Sequence, residues 1–105
     1  MAHLNDPRVT ELDQVLTRAH KAGVTHIINA GVDPHQDREI TTTKNPELRI
    51  YKAFGIHPMA VGRQPLAEQL RVLQNRLSEH HVVAIGEIGL DKREGMPDIS
   101  LQIEA

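Results

Sequence analysis

The sequence predicts an α/β fold with parallel strands, on three observations. Short β-branched runs alternate with longer amphipathic ones along the chain. The last such run, VVAIGEIGL at residues 82–90, is almost continuously apolar, as expected for a strand covered on both faces. Two runs also stop on side chains able to bind metal: AFGIHP reaches His57, and VVAIGEIGLD reaches Glu87 with Asp91 four residues on. In parallel α/β architectures the working residues collect at the carboxyl ends of the strands.

The elements follow in order. NDPRVTELDQVLTRAHKAG predicts a first helix, with Asn5 or Asp6 as cap, Pro7 in the first turn and Gly23 after the end. Val9, Leu12, Leu16, Ala19 and Ala22 recur at helical spacing and form its apolar face. VTHIINAGV, residues 24–32, is short and β-branched and predicts a strand. DPHQDREITTTKNPE predicts a weaker helix, capped at Asp33-Pro34 and ended near Asn45-Pro46. LRIYKAFGI predicts the next strand, and PLAEQLRVLQNRLSEHH a helix whose Leu66, Leu70, Leu73 and Leu77 stripe belongs to the core. After the strand at residues 82–90, Gly95 and Pro97 break the chain, and residues 100–105 read as the opening of another helix. Such an alternation suits a small doubly wound sheet or an arc of a (β/α)8 barrel. Because it starts on a loop and stops inside a helix, the arc is favoured; a whole barrel takes about 250 residues.

At 105 residues the chain holds one small domain. A net charge of −2 predicts neither a basic nucleic-acid footprint nor attraction to an anionic membrane, although bound cations can bring phosphate substrates to an acidic site. Cysteine is absent, which removes disulfides and thiolate metal sites. No apolar run has the length of a membrane span, and a cytoplasmic protein is expected. The two aromatic rings, Tyr51 and Phe54, leave Leu, Ile, Val and Ala to build the core, a thin supply for an independent folding unit.

A carboxylate at the end of an apolar strand needs compensation, either from a cation beside it or from an Arg, a Lys or a helix terminus. Carboxylate with imidazole suits divalent metals. His57, extended because Pro58 follows it, is a metal or phosphate contact or a turn histidine bonded to backbone. By itself, His3 near the start carries little weight. His20, His26, His35 and the His80-His81 pair are scattered and read as solvated, packing or helix-end histidines. Asp91 reads equally as an orienting carboxylate or a cap.

Taken together, AHLNDPRV, AGVTHIINAGVDP, FGIHP, VVAIGEIGLD and Gln102 resemble, in order and spacing, the TatD-like metal-dependent deoxyribonucleases. The resemblance implies a TIM barrel of the metal-dependent hydrolase type. One or two divalent ions (Mg, Mn or Zn) would sit at its mouth, and DNA phosphodiesters would be its substrate. The family's first strand ends in Asp-x-His-x-His before a leucine, so Ala2-His3-Leu4 makes His3 the second histidine and a metal ligand. Glu87 matches the metal-bridging and catalytic glutamate, His57 the substrate-binding or outer-shell histidine of the HP pair, and Asp91 the acid after GL. The family's remaining ligands come from later strands, so residues 1–105 correspond to the N-terminal portion of the barrel, about the first three to four β/α units, with the first strand missing.

From this follows the expectation of a truncated chain that binds metal weakly and cleaves little. Self-association is also expected, through sheet edges near Val24 and Glu87. The alternatives are a non-catalytic remnant or interaction module, and a metal-dependent barrel hydrolase acting on an amide or ester.

Overall fold

The computed structural model describes residues 2–38 and 45–105. Three parallel strands form one sheet in the order β1-β2-β3: β1 is His26–Ala30, β2 is Arg49–Phe54 and β3 is Val82–Ile85. The helices are α1, Leu12–Lys21; α2, Leu66–Leu77; and α3, Ile99–Glu104, and a 3-10 turn covers Pro58–Ala60. The predicted α/β class is observed. Of the helix expected over DPHQDREITTTKNPE, residues 39–44 lie outside the described residues, and the described part is not helical, with turns at residues 34–36 and 46–47.

Ala2 adds one residue of a further parallel strand beside β1. It pairs with Asn29, donating its N–H to Ile28 (2.9 Å) and accepting from the Ala30 N–H (2.8 Å). This places His3 at the carboxyl end of the sheet. Leu4 then turns into the core, its N–H held by the buried Asn29 side chain at 2.8 Å.

The first helix starts later than expected. α1 begins at Leu12, after a left-handed Glu11 (φ 53°) that makes no side-chain cap bond. The acceptors expected to cap it are used elsewhere: Asn5 takes the Arg38 N–H (3.1 Å), and Asp6 takes the backbone and side chain of Arg8. Gly23 follows the helix at φ 98°, where a side chain would be strained, as the helix-stop reading expects.

On one side of the sheet Leu4, Leu16, Leu48 and Ile50 form a cluster, with Leu12 and Ile27 packed against it. Burying a residue such as Leu16 (2% exposed) contributes about 2 kcal/mol. Ile56, Ala60 and Val61 form a second cluster with Leu73 of α2. The leucine stripe of α2 is shallower than expected. Leu70 is exposed, and the deepest residue of the helix is Gln69, whose Nε2 donates to the Ala60 carbonyl at 2.7 Å and ties α2 to the turn after His57.

β2, the central strand, also buries Lys52. Its Nζ meets Glu79 at 3.1 Å and lies 5.7 Å from the Phe54 ring centre, with the Arg76 guanidinium at 5.4 Å from the same ring. A buried ammonium is tolerated only with partners of this kind.

The expectation that residues 82–90 are covered on both faces fails. β3 is an edge strand, and Val83, Ile85, Ile88 and Leu90 are 54–64% exposed, with Leu101 and Ile103 of α3 exposed as well. The run is apolar as for a covered strand, but these large side chains are left more than half exposed among the described residues. Among those residues no helix is long and apolar enough to cross a membrane.

Candidate metal centre at the strand ends

The carboxyl ends of the three strands are laced together by backbone hydrogen bonds. Gly31 N–H donates to Ala53 (2.8 Å), Gly86 N–H to Phe54 (2.9 Å), Glu87 N–H to Gly31 (2.9 Å) and His57 N–H to Val32 (2.9 Å). The Glu87 backbone therefore reaches across the end of β2 to the end of β1. Gly55 lies beneath that crossing. A Cβ there would stand 2.5 Å from the Glu87 carbonyl oxygen and 2.7 Å from the Gly86 carbonyl carbon, so glycine is required for close backbone approach. Gly86 and Gly89 leave open space, and nothing in the sequence singles out Gly55 as crowded.

This lacing brings His3, His57 and Glu87 together. His3 Nε2 is 3.5 Å from Glu87 Oε1, and His57 Nε2 is 3.6 Å from Glu87 Oε2. The two imidazoles differ in what they can offer. His3 Nδ1 lies 3.1 Å from the Ala30 carbonyl oxygen, which only accepts, so Nδ1 carries the proton and the neutral ring presents the Nε2 lone pair to Glu87. His57 Nδ1 instead accepts the Met59 N–H at 3.1 Å, so its neutral ring carries the proton on Nε2 and donates toward Glu87. One histidine is arranged as a ligand, the other as a donor.

A lone pair facing a carboxylate oxygen is repulsive unless a proton or a metal cation lies between them. The spacing suits one: two donors each about 2.1 Å from an ion, at a tetrahedral angle, lie about 3.4 Å apart. The His3 bond to Ala30 is the outer-shell contact that orients metal-binding imidazoles. The residues therefore fit a divalent ion as a pair. Among the described residues no group of three His, Cys, Asp or Glu side chains converges to complete a cage.

A cavity of about 550 Å³ opens over this pair, and His3, His57, Asp33, Asp37, Arg63 and Glu87 contribute to its wall. Asp33 and Asp37 are buried. Asp37 Oδ2 accepts the N–H groups of Val32 (3.0 Å) and Asp33 (3.2 Å); burial pushes its carboxyl above the usual range, while these two backbone bonds oppose the rise. Asp33 belongs to the AGVTHIINAGVDP stretch and reads in the sequence as a helix cap, whereas neither Asp37 nor Arg63 is marked by any motif. They reach the site through the turn after β1 and the turn after His57.

Asp91 stands apart from the cavity wall. Its carboxylate is bound by Arg93, whose side-chain hydrogen bonds hold it down at about 2. Its backbone N–H donates to Gln102 Oε1 (2.7 Å), and Gln102 Nε2 returns to the carbonyls of Asp91 (2.9 Å) and Pro97 (2.7 Å). Buried Gln102 is thus the clamp of the loop after β3. Because the folded value of Asp91 is depressed, its favourable contribution is present above the ordinary value of 3.8 and is lost as pH falls through about 2. A carboxyl-carbon NMR titration is expected to place the Asp91 midpoint near 2 and Arg93→Ala to return it toward 3.8; an unchanged midpoint in Arg93→Ala would reject this cause.

The other histidines are dispersed. His20 pairs with Glu47 at 3.1 Å on the surface, and exposed His26 stacks on Tyr51 with ring centres 6.1 Å apart. His35 lies half-buried between Asp33 (3.8 Å) and Glu68 (3.9 Å).

The family model described as TatD related DNase matches residues 2–105. The chain is 32% identical over 93 residues to the uncharacterized metal-dependent hydrolase TatD of Mycobacterium tuberculosis, covering 85% of this chain and 34% of that protein. It is 38% identical over 93 residues to the uncharacterized metal-dependent hydrolase YabD of Bacillus subtilis, covering 86% of this chain and 35% of that protein. The chain thus spans about a third of the length of these curated relatives. A match along residues 2–105, on a sheet whose strand ends gather His3, His57 and Glu87, identifies the chain as a member of the TatD-related DNase family.

Proposed function

We propose that residues 1–105 form the N-terminal arc of a (β/α)8 barrel and carry part of a divalent-metal site for hydrolysis of DNA phosphodiesters. Three parallel strands with their working side chains at the carboxyl ends support the barrel reading. The observation that carries the function is the His3 Nε2 lone pair set 3.5 Å from Glu87 Oε1 at the mouth of the sheet. The names of the two relatives, both metal-dependent hydrolases, support the same class.

In this reading His3 and Glu87 hold the ion, Mg, Mn or Zn. When bound, it polarises the phosphate, supplies a water of lowered pKa and stabilises the leaving oxygen. Glu87 contributes the negative charge that retains the cation, and its backbone bond to Gly31 keeps the carboxylate over the end of the sheet. The Ala30 carbonyl holds the proton of His3 on Nδ1, so Nε2 stays free to coordinate. His57, with its proton on Nε2, donates to an anionic oxygen of the substrate at the same mouth. Asp91 acts through the loop it forms with Gln102 rather than by touching the ion.

Catalytic zinc sites generally take about three protein ligands plus water, so the 105 residues alone are expected to cleave slowly if at all. Hydrolysis of single-stranded DNA is to be followed over hours with added Mg, Mn or Zn. Little or no cleavage is expected from these residues alone, and metal-dependent cleavage abolished by Glu87→Ala would overturn that expectation. Turnover of an amide or carboxylic ester in preference to the oligonucleotide would move the substrate class. No metal binding in the wild-type chain would sink the reading.

A further inference from the structure

Arg63 is the guanidinium among the described residues of the cavity wall. It leaves the turn after His57 past Gly62 (φ 83°), with its N–H on the Ala60 carbonyl at 3.2 Å. Its Nη1 donates to Asp33 Oδ2 at 3.2 Å. Asp33 is 3% exposed, and its other oxygen takes the His35 N–H at 3.1 Å, so the anchor is rigid. The Arg63 side chain is itself 43% exposed. One donor of the fork is spent on the anchor, and the remainder stay available on a wall shared with His57 and Glu87.

A buried carboxylate needs a positive partner, and that alone could account for an arginine. A cavity walled by Asp33, Asp37 and Glu87, however, repels a polyanion, and a fixed, permanently charged fork on the same wall offsets that repulsion where the chain of phosphates must enter. We propose that Arg63 is the anion-docking residue of this site, taking a phosphate oxygen of the substrate backbone next to the scissile phosphodiester while Asp33 holds its guanidinium in place. This rests on the phosphodiester reading above. Arg63 here sets where the strand lies and does not touch the reacting atoms.

The test is fluorescence anisotropy of a labelled single-stranded phosphorothioate oligothymidylate against the whole 105-residue chain, at fixed Mn²⁺ and several salt concentrations. Arg63→Gln is expected to weaken binding about tenfold and to lower the slope of log K against log salt by about 0.7, the value for one phosphate contact on a single strand. Arg63→Gln leaves Asp33 buried without its cation, so the Asp33→Asn/Arg63→Gln double variant is measured beside it, with circular dichroism confirming the fold. The double variant is expected to keep both losses. If it recovers wild-type affinity and salt slope, Arg63 serves only to neutralise Asp33 and the docking role is overturned. If the wild-type chain binds no oligonucleotide at all, the phosphodiester reading fails first and takes this inference with it.

Discussion

Glu87→Gln is expected to remove saturable Mn²⁺ or Zn²⁺ binding, lowering affinity at least about 100-fold, while leaving the fold intact. Loss of an outer-shell partner alone costs metal sites about 10- to 100-fold, and Glu87 supplies the charge itself. Glutamine keeps the shape and can turn its amide N–H toward the His3 lone pair, relieving the repulsion between the two facing acceptors. Stability without metal should therefore be unchanged or slightly raised, in contrast to a structural ion pair, where breaking one side is costly. His3→Ala should lose metal binding comparably. His57→Ala should not, changing affinity only a few-fold, because its Nε2 is committed as a donor. Titration calorimetry of the three variants decides the assignment. Retained affinity in both Glu87→Gln and His3→Ala would remove the pair as the metal centre.

Gly55→Ala is expected to destabilise the chain by about 3 kcal/mol and to abolish metal binding together with it. The added methyl would stand 2.5 Å from the Glu87 carbonyl oxygen and 2.7 Å from the Gly86 carbonyl carbon, and backbone cannot rotate away as a side chain can. Relief comes from lifting the Glu87 segment off the end of β2, which breaks its N–H bond to Gly31 and moves the carboxylate away from His3. Gly86→Ala is the control, since a Cβ at Gly86 meets nothing within 4 Å. Urea unfolding with parallel Mn²⁺ titration separates the two. Equal behaviour of the two alanine variants would show that the crossing over Gly55 does not position Glu87.

Strand ends were readable in the chain because hydrophobic period and chain topology are local or nearly so. Residues 82–85 are apolar and β-branched, residues 49–54 carry Ile50, Tyr51 and Phe54 among two basic side chains, and parallel α/β packing sends His57 and Glu87 to the same end. α1 starts later than its cap-like residues suggest because capping chemistry is also turn chemistry. Asn5 and Asp6 found partners in Arg38 and Arg8, one of them distant in sequence, and the helix was left to begin at Leu12 without a side-chain cap. The Leu66–Leu77 stripe shows the same limit: periodicity identifies the inward face of a helix, but how deeply it sinks depends on what lies opposite.

Residue type and order alone therefore settled the α/β class, the parallel strands and the company of His57 and Glu87, since these follow from side-chain chemistry and the short-range geometry of the backbone. Three-dimensional packing alone decided that His3 meets Glu87 as a lone pair, that His57 meets it as a donor, that Gly55 must be bare, and that Asp33 pins Arg63 on the cavity wall. Each of these depends on a contact between atoms from different loops. A difference of about one ångström, or of which ring nitrogen holds the proton, leaves no trace in the order of residues.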